Sequence, residues 1–97
     1  MEKEIYYINL YDYYGELLTE KQKDYFEDYY FNNYSLSEIS ENNCVSRNAV
    51  HKQIKESIEK LSFYEDKLGY LKRDNELKKI ISKIKDEKIK EELLNNL

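Results

Sequence analysis

Ser46, Arg47, Asn48, His51, Lys52 and Lys55 lie within a ten-residue stretch at helical spacing. On one helix face they would form a set suited to a polyanion. Arg and Lys bring charge for phosphate or guanine, Asn matches the edge of adenine, and Ser adds a hydroxyl donor. His51 is read as an exposed polar residue or phosphate contact, because no Ser, Cys or carboxylate partner is assured beside it for work as a base. Cys44 with His51 gives two metal ligands, too few for a structural zinc site. The sequence has no phosphate loop, no clustered His or Cys and no nucleophile motif, so we expect no enzyme, no catalytic residue, no metal and no cofactor.

Such a set needs a rod to carry it and a platform to hold the rod. Val45, Val50 and Ile54 are the apolar positions that would bury the inner edge of the rod, and apolar residues continue at Ile58 and Leu61. Ser46 is placed as the cap of this recognition helix, over residues 46–61, with Glu56 and Glu59 beyond the reach of a groove. The platform is a preceding helix opened by the capping box Ser35-Leu36-Ser37-Glu38, carrying Leu36 and Ile39 and fading at Glu41-Asn42. About three residues separate the two helices, the gap that a helix-turn-helix requires. An ordinary helical hairpin with a solvated charged face has the same periodicity.

The flanking chain is also helical in pattern. Tyr7, Leu10, Tyr11 and Tyr14 make a stripe over residues 4–14 that Gly15 stops. Thr19 and Gln22 form a second capping box before a stripe of Tyr25, Phe26, Tyr29 and Tyr30, which frays into Asn32 and Asn33. Past Leu61 the pattern thins, with a bend placed near Gly69. Leu77, Ile80, Ile81, Ile84, Ile89, Leu93 and Leu97 then make another stripe, on one broken helix or two short ones.

With no proline, two glycines, 40% hydrophobic and 37% charged residues, the 97-residue chain should fold, and should do so without a sheet. The eleven tyrosines are read as the codon bias of an AT-rich genome, which also enriches Asn, Ile and Lys, in preference to an aromatic binding surface. The lone Cys44, the acidic start and the lack of a long apolar run predict a soluble, cytoplasmic protein that neither enters nor binds a membrane.

The net charge of −4 argues against a nonspecific coat on nucleic acid, but it is unevenly spread. Residues 1–34 carry eight acids against three bases, residues 35–60 balance four against four, and residues 61–97 hold nine bases against eight acids. Any polyanion site therefore lies after residue 34. The tract from Lys67 to Lys90, at +5, could extend a phosphate-binding surface or form the wet side of helices. The apolar stripe there could pack on the N-terminal helices or form a homodimer seam; we expect a homodimer.

The segment Leu36-Ser37-Glu38-Ile39-Ser40 to Val45-Ser46-Arg47-Asn48-Ala49-Val50 resembles the helix-turn-helix of bacterial sigma-factor region four. Together with Tyr11-Asp12-Tyr13-Tyr14-Gly15-Glu16-Leu17-Leu18-Thr19-Glu20-Lys21-Gln22 it is similar to the YlxM-like family, over roughly residues 5–70. That resemblance implies an all-helical DNA-binding-like protein encoded beside the signal recognition particle GTPase, with a regulatory part in that secretion pathway inferred from gene neighbourhood. Two positions depart from the family pattern. Ser40 stands where Ala is frequent, and Cys44 where the turn usually has Gly or Asn. Cys tolerates positive φ poorly, so either Asn43 takes the left-handed conformation or the turn is reshaped.

The expected architecture is all-α: a five- to six-helix, winged-helix-like or sigma region four type bundle with a helical C-terminal extension. Residues 1–97 would form one domain, with a helical pair over 1–34, the helix-turn-helix over 35–61 and a tail over 62–97. The expected function is double-stranded DNA binding, with Arg47, Asn48, His51 and Lys52 in the major groove and Ser46 and Lys55 on phosphates. The alternative is a protein-interaction module docking on the secretion GTPase or its ribonucleoprotein. Binding of the particle's RNA ranks last, since the chain lacks the sheet platform of common single-strand readers.

Overall fold

In a computed structural model that describes residues 2–97, local caps set where the helices begin. The Thr19 hydroxyl accepts from the Gln22 amide and the Gln22 side chain accepts from the Thr19 amide, opening α2 (Glu20–Tyr30) after α1 (Glu2–Tyr14) and a single turn of 3-10 helix (Gly15–Leu17). Ser35 and Glu38 make the same reciprocal pair, at 3.1 Å each way, for α3 (Leu36–Asn43). Ser46 accepts from the Ala49 amide at 3.0 Å and opens α4 (Arg47–Leu68). α5 (Tyr70–Ile81) and α6 (Glu87–Asn95) follow, the latter capped by Asp86. No strand forms among the described residues, and no helix there is long and apolar enough to cross a membrane.

The recognition helix outruns its expected end at residue 61 and continues to Leu68. Ser62 to Leu68 contains no breaker, and Tyr64 packs against the core, so the helix stops only where Gly69 turns left-handed at φ 64°.

Two groups of buried side chains hold the helices together. Leu10, Tyr14, Leu18, Phe26, Leu61 and Leu71 fill the space among α1, α2, α4 and α5. Tyr25, Ile39, Val50 and Ile54 fill that among α2, α3 and α4, and Tyr30 and Ile58 touch both groups. The tyrosines read as background composition thus supply much of the interior. Tyr14 and Tyr25 are buried, and Tyr7, Tyr11, Tyr30 and Tyr64 are half-buried against the core. Tyr11 stacks on Phe26 with ring centres 4.5 Å apart.

Gly15 follows α1 without a left-handed backbone; what requires glycine here is room. A Cβ at this position would lie 2.9 Å from the ring of Tyr11, which is stacked on Phe26. Gly15→Ala is therefore expected to lower the stability by about 1–2 kcal/mol, read as a drop in the urea midpoint at constant slope. An unchanged midpoint would mean that the ring yields freely.

The join between α4 and α5 is built from distant residues. The Tyr14 hydroxyl donates to Glu65 Oε1 at 2.6 Å and accepts from the Tyr70 amide. Glu65 also accepts from the amides of Leu71 and Lys72, both at 3.1 Å, so a side chain of α4 caps α5 where Gly69 cannot. Tyr13 donates to the buried carboxylate of Asp74, a second tie between α1 and α5.

Candidate nucleic-acid interface

The turn between α3 and α4 follows from the packing of half-buried Val45 on the buried cluster of Ile39, Val50 and Ile54. To seat that side chain, the chain must reverse at once after Asn43. It does so with the Val45 amide on the Ser40 carbonyl at 3.1 Å and the Cys44 amide on the Glu41 carbonyl, the two bonds of a Schellman motif. The left-handed residue of that motif is Cys44 itself, at φ 53° and ψ 43°. This corrects the expectation that Asn43 would take the position or that the turn would be reshaped. Asn43 stays in α3 and donates its side-chain amide to the Ile39 carbonyl at 2.8 Å. The strain at Cys44, about 1–2 kcal/mol for a residue with a Cβ, is outweighed by the burial of Ile39, Val50 and Ile54 with Val45 packed at their edge. Ser40, the other departure, is buried but donates its hydroxyl to the Ser37 carbonyl at 2.8 Å, so it leaves no orphaned group.

α4 presents two edges. Val50, Ile54, Ser57 and Leu61 are buried, with the Ser57 hydroxyl bonded back to the Gln53 carbonyl. Arg47, Asn48, His51, Lys52 and Lys55 are all exposed, with Asn48, Lys52 and Lys55 opposite the buried stripe, His51 on its flank and Arg47 at the open first turn. Arg47, His51 and Lys55 succeed one another four residues apart, and Asn48 and Lys52 form a parallel row, so the five share one surface in the first three turns. Among the described residues none of Arg47, Lys52 and Lys55 enters an ion pair. Ser46 is exposed as well, its oxygen engaged as the cap while its proton remains free to donate. Lys60, one turn beyond Glu56, is instead tied to Gln22 at 3.1 Å and faces α2.

The surroundings temper this cationic face. Glu38 and Glu41 are exposed on α3, and Glu59 lines the same recess as His51 and Lys55. That recess, of about 380 Å³, lies beside α4 and is walled by Tyr7, Tyr29, Tyr30, Leu36 and Ile58. Sequence reasoning passed over this aromatic wall; its only signal was the tyrosine stripe of α2. The lysines of α5 belong to a separate helix that begins only after Gly69, at the end of α4, a rod about 32 Å long, that lies away from Arg47. Among the described residues no three potential metal ligands converge.

Comparison with known proteins gives a consistent result. One family model, described as "Putative helix-turn-helix protein, YlxM / p13 like", matches residues 1–97. The UPF0122 protein of Caldanaerobacter subterraneus subsp. tengcongensis is 52% identical over 77 residues, covering 79% of this chain and 66% of that protein. Its counterpart in Malacoplasma penetrans is 49% identical over 85 residues, covering 88% and 79%. That of Fusobacterium nucleatum is 44% identical over 85 residues, covering 88% and 82%. The matched region thus spans just under two thirds of the first of these relatives and about four fifths of the other two.

Proposed function

This chain belongs to the YlxM/p13-like helix-turn-helix family, and from that premise we propose that it is a DNA-binding regulatory protein. The start of α4 enters the major groove, with Arg47, Asn48, His51 and Lys52 against base edges and Ser46 and Lys55 on phosphates. The observation that carries this reading is the exposure of all six side chains beside a turn held by buried aliphatics, with the three full cations unpaired among the described residues. The protein acts in the cytoplasm, as a homodimer, on the signal recognition particle pathway. The pathway rests on the family resemblance.

A second reading, docking on the secretion GTPase or its ribonucleoprotein, is favoured by Glu59, which shares a recess with Lys55, and by the net charge of −4, both of which weaken attraction to a polyanion.

Fluorescence anisotropy at several salt concentrations separates the two. Duplex affinity falls with salt by a log–log slope of about −0.9 for each phosphate neutralised, the contribution assigned here to Lys55. Arg47→Ala is expected to cost about 1–3 kcal/mol on a preferred sequence. Lys55→Ala weakens every sequence alike and reduces the slope by about 1. A protein without salt-dependent affinity for any duplex overturns DNA binding. Retention of the GTPase after nuclease treatment would then favour the second reading.

A further inference from the structure

The chain exposes far more surface than its size requires. Its accessible area is 7228 Å², whereas a compact monomer of 11.9 kDa exposes about 5,900 Å², an excess of about 1,300 Å². The radius of gyration, 16.8 Å, likewise exceeds the about 12.5 Å of a compact chain of this length. The C-terminal helices account for much of this, because α6 contains no buried residue. Leu77 and Ile80 of α5 and Ile89, Leu93 and Leu94 of α6 remain 37–61% exposed. The excess of about 1,300 Å² over the whole chain exceeds the about 800 Å² that each partner buries in a standard interface.

Charge points to what covers it. Residues 77–85, the end of α5 and the following turn, hold four bases and no acid, whereas residues 86–92 hold four acids against two bases. A +4 segment is therefore followed by a −2 segment along the same apolar helices. A two-fold pairing places each segment of one copy against the other segment of its partner, the self-complementarity that an isologous interface needs.

We infer that the apolar surface of α5 and α6 is the seam on which a second copy of this chain docks, α5 of one against α6 of the other. The residues of the seam, from Leu77 to Leu94, are none of those that make the candidate nucleic-acid face, Ser46 to Lys55. This deepens the homodimer reading above and assumes nothing about DNA, so its failure and that of DNA binding are told apart.

Sedimentation equilibrium of the chain between about 1 and 100 µM, without nucleic acid, is the test. The expected mass is twice 11.9 kDa. Leu93→Lys, on a helix with no buried residue, is expected to keep its helical circular dichroism and raise the dissociation constant at least about 100-fold. Reversing Lys78 and Lys79 to Glu is expected to weaken the dimer, and adding Glu91→Lys and Glu92→Lys to restore it. A single-chain mass throughout the range, an undiminished dimer in Leu93→Lys, or no rescue by the second charge reversal would each overturn the inference.

Discussion

Phe26→Ala is expected to lower stability by about 3–5 kcal/mol, a large part of what a domain of this size has. Phe26 is fully buried, stacked on Tyr11 of α1, and has its ring centre 4.6 Å from that of Tyr30. Truncation opens a void that two stacked rings and a helix end cannot fill without moving α1. The thermal midpoint should drop by tens of degrees, at roughly 4–8 °C per kcal/mol. Phe31, 45% exposed at the edge of the same cluster, is the control, and Phe31→Ala should cost under about 1 kcal/mol. A loss at Phe26 no larger than that at Phe31 would show that the aromatic cluster does not hold α1 to α2.

Alkaline unfolding is the second large effect. Burial, then the hydrogen bond to Glu65, pushes the Tyr14 hydroxyl up to about 12. Tyr13 is raised to about 12 by its hydrogen bond to Asp74 and then by burial. Tyr11 and Tyr30 are raised to about 12 chiefly by burial, with Glu27 adding to the first and Tyr29 to the second. In the unfolded chain all four titrate near 10, so the folded state holds its protons longer. Their contribution to stability is complete below pH 10 and is lost as the pH rises towards 12. Tyr14 alone represents roughly 2 kcal/mol once its partly solvated hydroxyl is allowed for. We expect helical circular dichroism to collapse between pH 10 and 12 together with the rise of tyrosinate absorbance. Tyr14→Phe should make that alkaline limb shallower while losing about 1 kcal/mol at neutral pH, with its hydrogen bond to Glu65 gone. Tyrosinate that appears near pH 10 while the helices persist would contradict this account.

The helix starts were legible along the chain because each is a contact between residues three apart. Thr19 with Gln22, Ser35 with Glu38 and Ser46 with Ala49 need no tertiary partner. The exposed edge of α4 was legible for a similar reason. Once the valines and isoleucines at helical spacing are turned inward, Asn48, Lys52 and Lys55 have the other side to occupy, while Arg47 is exposed at the open first turn and His51 on the flank.

Cys44 is where that legibility ends. Intrinsic preference assigns the left-handed position to Asn43, but the register that packs Val45 on the core moves it one residue on, since packing outweighs a strain of about 1–2 kcal/mol. The start of α5 depends on Glu65 and on Tyr14, which lies 56 residues before the amide it accepts from; no pattern along the chain encodes such a pairing. The stripe from Leu77 to Leu94 shows the same division. Periodicity identified its apolar residues, but whether they lie inside or outside depended on how many faces α1 and α2 had left to offer. Those faces are filled by their own tyrosines and by Leu61 and Leu71, and α6, packed on α5 alone among the larger contacts, has no buried residue. Spacing along a helix is a property of neighbours, whereas the occupant of each face is settled by the volume the whole chain has to fill.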